Sequence, residues 1–556
     1  MQYRPENPLI VQADQSLLLE TMNPHFAEVR DALARFAELV KSPDYIHTWR
    51  ITPLSLWNGA AAGLRLEDIL DTLQRWSKYD VPASVPVWVR ETLSRYGRLE
   101  LRREGGALLL VADGPALMTE VRSTRGVSAL LGKSRDNRSI EVDQVNRGLL
   151  KQVLIAHGYP VDDRAGYVDG DTLALALRTP SLDGRDWSLR QYQCEAVSAF
   201  YGENGGGSGS GVIVLPCGAG KTIVGISVME RLQMRTLILG TNVTALRQWR
   251  DEIIARTSLG PDEVGEYSGE RKDIRPVTLT TYQMLTWRPS KEGDFVHLGL
   301  FDSANWGLII YDEVHLLPAP VFRVVANLQA RRRLGLTATL VREDGKEGDV
   351  FALIGPKRFD MPWKDLEGQG WIASAVCTEI RVGMGDEERL AYAIAEDRER
   401  FRVASTNPRK LDTIAELLER HAGSRTLIIG MYVDQLKEIA HRWSLPLITG
   451  ETKQSVRDGL FERFRDGSAP VLVISRVGNF SVDLPDANVA IQVSGTWGSR
   501  QEEAQRLGRV LRPKPGQNTA DFYTVVSRDT VEQEFSEKRQ LFLTEQGYNY
   551  RIEAED

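Results

Sequence analysis

The chain has 556 residues, 42% of them hydrophobic and 26% charged, with a formal net charge of −7. That length exceeds one ordinary core and calls for three or four domains, in a soluble globular composition with no apolar run long enough to span a bilayer. The acidic balance argues against a bulk polyanion binder, while leaving room for a local basic channel.

The opening "MQYRPENPLIVQADQ" has no basic stretch followed by an apolar one, so no export signal is expected. Three cysteines, Cys194, Cys217 and Cys377, stand far apart. Their spacing suits neither a disulfide framework nor a ligand set for zinc or an iron–sulfur cluster, and the expected setting is a reducing cytoplasm.

In the N-terminal third, "LEDILDTLQRW" (66–76) places Leu66, Ile69, Leu70, Leu73 and Trp76 on one helical face. A second helix is predicted over "VPVWVRETLSRYG" (85–97), and "RLELRREGGALLLVA" (98–112) reads as two strands around a Glu-Gly-Gly turn. Helix, helix, hairpin is the order of a winged-helix unit, a nucleic-acid reader; it equally suits an α+β accessory domain that touches no DNA. Residues 121–151 carry seven Lys/Arg against three Asp/Glu, a bias that ordinary solvated surface also shows. The run "GENGGGSGSG" (202–211) reads as a flexible lead-in.

From residue 212 the pattern changes. "VIVL", "TLILG" (236–240), "VTLTT" (277–281), "LIIYD" (308–312) and "LGLTAT" (334–339) are apolar runs separated by helical or polar stretches. A second series follows: "TLIIG" (426–430), "LITG" (447–450), "VLVIS" (471–475), "VAIQV" (489–493) and "FYTVV" (522–526). Continuous β-branched runs alternating with helices predict buried parallel strands, hence two α/β domains. Residues 356–410, with "DEERLAYAIAEDRERFRVAS", read as a charged helical linker or insertion.

The first series opens on "VIVLPCGAGKT" (212–222), which lacks one glycine of the phosphate cradle G-x-x-x-x-G-K-S/T; Leu215 stands in its place. Pro216, Cys217, Gly218, Ala219 and Gly220 form the turn, whose N–H groups can face phosphate oxygens. Lys221 can reach the β- and γ-phosphates of ATP and the Thr222 hydroxyl can bind Mg2+. Downstream, "LIIYDEVH" closes a strand on Asp312, a magnesium carboxylate, and Glu313, placed to orient or deprotonate water. His315 is either loop structure or a link to a moving element. In "QEEAQRLGRVLRPK", Gln505, Arg509 and Arg512 share one helical face, where two guanidinium groups suit the charge developing on a γ-phosphate. An ATP site closed from a second domain would make hydrolysis a motion.

Together, "LPCGAGKT", "DEVH", "GLTATLVRED" and "QRLGRVLR" resemble a superfamily 2 helicase, and more specifically the XPB family of DNA helicases and translocases in its bacterial form. The resemblance runs from about Leu189 to Leu543. Such helicases use the shorter cradle A/G-x-x-G-x-G-K-T, which accommodates Leu215. The resemblance implies two RecA-like parallel-sheet motor domains behind an α+β accessory region. Its implied boundaries are an accessory domain at 1–120, a small α/β damage-recognition-like region at 121–185, ATP-binding domain 1 at 186–355, a linker with a thumb-like helical insertion at 356–410, and domain 2 at 411–556.

It further implies an adenine contact from Gln193 in "LRQYQ", nucleotide contact by Asp483, coupling through the TAT segment Thr337 to Thr339, and DNA-cleft roles for Arg342, Glu343 and Asp344. An interdomain salt-bridge cluster suits that charged triplet as well. For Thr241, Thr281 and Ser475, at strand ends, contacts to DNA phosphate and helix caps both fit. The implied activity is ATP-dependent 3′-to-5′ movement on forked or partly single-stranded DNA in repair, by a cytoplasmic, nucleoid-associated monomer that admits a partner nuclease. A double-stranded DNA translocase that separates no strands and an ATP-gated damage-binding scaffold are the alternatives.

Overall fold

The structure is a computed structural model that describes residues 3–41, 45–165, 169–201, 209–216, 218–290, 296–317, 321, 332–338, 347–361, 363–371, 373–475, 487–495, 519–545 and 550–555. Two compact units divide the chain, one made chiefly of residues up to 361 and the other chiefly of residues from 362.

The first unit begins with a small sheet of β1 (Leu9–Val11), β2 (Ser16–Glu20), β3 (Glu38–Lys41) and β4 (Ile46–Arg50), in the order β1-β2-β4-β3. The helix Pro53–Ala61 follows because Thr52 and Ser55 satisfy each other's free backbone N–H groups at 3.0 Å, with Pro53 in the first helical position. The helix predicted at 66–76 spans Leu66–Trp76 and buries Ile69, Leu73 and Trp76; the next spans Ser84–Ser94.

The predicted hairpin is β5 (Leu99–Glu104) with β6 (Ala107–Ala112), turning on Gly105 and Gly106, both at positive φ. It is not the wing of a winged helix. β7 (Leu131–Ser134), β8 (Ser139–Val142) and β9 (Val161–Asp163) extend it into one five-stranded sheet, β7-β8-β6-β5-β9. The expected boundary at residue 120 therefore falls inside this sheet's span, within the helix Pro115–Ser123. Its interior holds a buried ion triad: Arg147 and Lys151 reach the Asp163 carboxylate at 2.6 and 2.8 Å.

The first parallel sheet has seven strands: β10 (Ser210–Val214), β11 (Thr236–Gly240), β12 (Val264–Tyr267), β13 (Val277–Thr281), β14 (Leu308–Asp312), β15 (Arg332–Thr337) and β16 (Lys357–Asp360). Their order is β12-β13-β11-β14-β15-β10-β16, every pair parallel. Leu308, Ile309, Ile310 and Tyr311 are fully buried, as a central strand covered on both faces must be. The accessory region fastens to the β16 edge of this sheet. Asn58 accepts from the Lys357 N–H at 3.1 Å, Arg358 donates to the Ala61 carbonyl at 3.3 Å, and Gln152 donates to Asp349 at 2.7 Å.

The second unit holds another seven-stranded parallel sheet: β17 (Ser374–Val382), β18 (Thr426–Gly430), β19 (Leu447–Ile448), β20 (Val471–Ser475), β21 (Val489–Gln492), β22 (Thr519–Ser527) and β23 (Tyr550–Glu555), ordered β19-β20-β18-β21-β22-β17-β23. The stretch 356–410 is thus more than a linker, since it contributes β16 to one sheet and β17 to the other. Its charged part is helical as expected, over Asp386–Ile394 and Asp397–Ser405. A buried ion pair braces this unit: Lys410 Nζ lies 2.8 Å from both Glu532 oxygens and 2.9 Å from the Val493 carbonyl.

Candidate nucleotide site

β10 leads into the cradle, and Leu215 follows directly on its last residue. Its N–H donates to the Thr337 carbonyl at 2.9 Å and its side chain is fully buried. The conformational freedom that the missing glycine would bring is supplied by Gly218 and Gly220, both at φ +81°. At Gly220 a Cβ would also fall 2.5 Å from Gln193 Nε2, so the glutamine amide would have to move aside. Gln193 is buried against the cradle, its Oε1 accepting from the Arg190 N–H at 3.0 Å. The helix Lys221–Leu232 begins on Gly220, which sets Lys221 and Thr222 in its first turn, where free N–H groups and the helix dipole favour anions.

β14 delivers the acidic pair. Asp312 Oδ2 accepts from Trp249 Nε1 at 2.9 Å, its Oδ1 accepts from the Glu313 N–H at 3.1 Å, and its carbonyl accepts from the Tyr282 hydroxyl at 2.9 Å. Burial, and then the Glu313 charge, push the Asp312 carboxyl up to about 6. Glu313 adopts left-handed backbone angles (φ 48°, ψ 55°), a costly conformation for a residue with a Cβ and one that concentrates at functional sites. Its Oε1 meets Lys221 Nζ at 3.1 Å. Burial pushes its carboxyl up, but Lys221, His315 and the Ala338 N–H outweigh burial and hold it below the usual range. Among the described residues, Glu313 Oε2 is buried with no hydrogen-bond partner, an acceptor able to take a further donor such as water.

The next contacts lead away from the acid. His315, buried, stands 3.6 Å from Glu313 through Nδ1 and only 2.6 Å from the Thr337 hydroxyl through the same nitrogen. Cradle lysine, acidic pair, histidine and the end of β15 thus form one contiguous chain.

Gln193, Gly220, Lys221, Thr222, Asp312, Glu313, His315 and Thr337 all fall in the first unit, whereas Pro216, Gly218 and Ala219 of the turn are grouped with the second. Of the strand-end hydroxyls, Thr281 caps the helix Tyr282–Leu285 by accepting from the Met284 N–H at 3.0 Å, while Thr241 accepts from the Asn242 side chain at 3.1 Å. Ser475 closes β20 with its hydroxyl buried and, among the described residues, without a hydrogen bond. Cys217, Thr339, Arg342, Glu343, Asp344, Asp483, Gln505, Arg509 and Arg512 lie outside the described residues.

Sequence reasoning missed Trp249 and Tyr282. Trp249 reaches Asp312 because the helix Lys221–Leu232 carries Gly225 beneath it; a Cβ there would lie 2.5 Å from the indole. A glycine in the middle of a helix was the available signal. The other half of the interaction lies 63 residues from Trp249.

The donor set fits a magnesium ion. Magnesium takes one or two protein oxygens and completes its shell with phosphate and water, and Thr222 and Asp312 offer a hydroxyl and a desolvated carboxylate of that kind. Among the described residues no group of three His, Cys, Asp or Glu forms a metal cage, and no helix is long and apolar enough to cross a membrane.

A parallel sheet whose strand enters a Gly-Lys-Thr cradle, and whose central strand ends in Asp-Glu, defines a P-loop nucleotide-binding α/β motor domain; a second seven-stranded parallel sheet follows it in the chain. A family model described as ERCC3/RAD25/XPB C-terminal helicase matches residues 366–556, and one described as type III restriction enzyme, res subunit, matches 186–342. A model described as helicase conserved C-terminal domain falls on residues 9–136, in the accessory region. The chain is 56% identical to the DNA 3′-5′ helicase XPB of Kineococcus radiotolerans, covering 99% of this chain and 97% of that one. It is 52% identical to the protein of the same name in Mycobacterium tuberculosis, over 99% and 98%. It is also 37% identical to the general transcription and DNA repair factor IIH helicase/translocase subunit XPB of Antonospora locustae, over 99% and 82%. The chain belongs to the XPB family of helicases.

Proposed function

We infer that this chain is an ATP-dependent DNA 3′-to-5′ helicase that serves DNA repair. The observation that carries this reading is the Lys221–Glu313–His315–Thr337 chain, set in a protein more than half identical to two DNA 3′-5′ helicases. The N–H groups of the 216–220 turn hold the phosphates of ATP, with Gln193 beside the cradle as the adenine contact. Thr222 and Asp312 would hold a magnesium ion, which when bound would screen charge on the phosphates.

Lys221 neutralises Glu313 in the resting state. When the lysine turns to the γ-phosphate, the charge that holds the Glu313 carboxyl low is withdrawn, and the carboxylate becomes a stronger acceptor for the attacking water. Asp483 is assigned to nucleotide contact, and Gln505, Arg509 and Arg512 to catalysis, the two arginines supplying positive charge for the charge that develops on the γ-phosphate. Thr339, Arg342, Glu343, Asp344, Thr241 and Ser475 are assigned to coupling or to DNA, whereas the Thr281 hydroxyl is occupied as a cap.

ATP turnover with and without DNA tests the assignment. Lys221→Ala abolishes turnover, Glu313→Gln lowers kcat by about 10²–10⁴ while nucleotide still binds, and Arg512→Ala lowers it by about 10³–10⁵. Near-normal ATPase in any of these folded variants would overturn the role given to that residue. Strand displacement from a fork, run beside triplex displacement on duplex, separates a helicase from a translocase that opens no strands.

A further inference from the structure

At the far edge of the first parallel sheet, an exposed aromatic cluster takes no part in the nucleotide site. Tyr267 ends β12, and its hydroxyl lies 3.0 Å from His297 Nδ1, the rings meeting edge to face at 5.7 Å. Trp287 leans on the other side of His297, also at 5.7 Å, and half of its surface is open to solvent. Lys272 sits 4.5 Å over the Tyr267 ring, held by a tight turn in which the Ser268 N–H donates to the Arg271 carbonyl at 2.7 Å. Arg288 follows Trp287 and is exposed.

A half-exposed indole leaning on a histidine ring, with Lys272 over the adjoining tyrosine and Arg288 next in sequence, has the chemistry of a base-stacking platform with cations available for phosphate. Its location rules out a share in the ATP site. β12 and β10 are five strands apart in the sheet, roughly 24 Å at the usual strand spacing of about 4.8 Å. Both sites nonetheless lie at the C-terminal edge of the strands, where open α/β sheets bind ligands. They are also mechanically joined. The Tyr282 hydroxyl bonds the Asp312 carbonyl, the helix Tyr282–Leu285 follows, and the Trp287 N–H closes onto the Met284 carbonyl at 3.3 Å.

We propose that Trp287, backed by His297 and Tyr267 and flanked by Lys272 and Arg288, stacks against an unpaired base of single-stranded DNA. This rests on the helicase reading above and adds to it a contact that recognises bases rather than backbone. The platform engages unpaired strand and ignores the interior of a duplex, whose bases are already stacked.

The test is fluorescence anisotropy of labelled oligonucleotides with the full-length protein, at fixed salt, using Trp287→Ala and Trp287→Phe. Trp287→Ala should weaken binding to a single strand about tenfold, with Trp287→Phe intermediate. Binding to blunt duplex and DNA-independent ATPase should be unchanged. Abasic nucleotides through the strand should erase the difference between wild type and Trp287→Ala. Equal affinity of wild type and Trp287→Ala for single strands would overturn the platform and leave the helicase reading standing, as would an equal loss on duplex. Absence of any DNA binding by the wild-type protein would overturn both.

Discussion

His315 Nδ1 and the Thr337 hydroxyl, 2.6 Å apart and both buried, join the loop that carries Glu313 to the end of β15. Thr337 also lends its carbonyl to the Leu215 N–H, so one residue touches both the cradle strand and the acidic loop. Thr337→Val keeps the shape and removes the hydroxyl, a change worth about 1–3 kcal/mol at a buried hydrogen bond. ATP binding should survive, while base pairs opened per ATP hydrolysed should fall. The two rates measured on one forked substrate decide it; an unchanged ratio would remove Thr337 from the coupling path.

Trp249 orients Asp312 from the neighbouring helix. Trp249→Phe removes the indole N–H, a hydrogen bond to a charged group worth about 1.5–3 kcal/mol, together with the outer ring atoms that pack over Gly225. The expected result is a higher magnesium concentration for half-maximal ATPase, by about tenfold, with a folded protein. Gly225→Val should do more harm, because the added atoms meet the indole itself. A magnesium titration identical to wild type in Trp249→Phe would sink the positioning role.

In the second unit, Lys410 and Glu532 are both fully buried and fully paired. Lys410→Ala strands the carboxylate, and the cost expected for one member of a buried pair is about 3–5 kcal/mol. Replacing both by apolar residues of similar volume should recover much of that loss. Urea unfolding of wild type, single and double variants measures it; a loss under about 1 kcal/mol in Lys410→Ala would contradict the buried pairing.

The accessory region should have its own acid limit. Burial, reinforced by the Arg30 charge, lowers the His47 imidazole to about 4. An unfolded chain takes up that proton near 6.5. Between these values the unfolded state binds more protons, so stability falls as pH drops from about 6.5 to 4, by as much as about 3 kcal/mol, and His47 contributes no slope above that window. His47→Phe should flatten the difference, measured as unfolding free energy against pH for variant and wild type. Parallel curves would show that the imidazole is not responsible.

Both parallel sheets were legible because their central strands are uninterrupted apolar runs, and the cradle and acidic pair because their chemistry is local in sequence. β17 was not. "SAVCTEIRV" reads as charged linker, yet Glu379 is buried with its oxygens satisfied by Arg381, Ser536 and Gln540, the last two more than 150 residues away. The five-stranded accessory sheet was half legible. Its hairpin announces itself through Gly105 and Gly106, whereas β7 is a largely exposed edge that alternation cannot reveal, and β9 joins from 60 residues downstream. Trp249 and Tyr282 were hidden for the same reason, since each finds Asp312 only in the folded chain.

The fastening of the accessory region to β16 has a consequence for how force is delivered. An appendage tied through Asn58 and Ala61 to the rim of a sheet, and through Gln152 to the helix Glu347–Leu353 before that rim, is carried as a passenger of the sheet. Each step of the motor must therefore drag whatever the appendage grips by the same distance. An obstacle bound there would be felt at the cradle as a mechanical load within the same stroke.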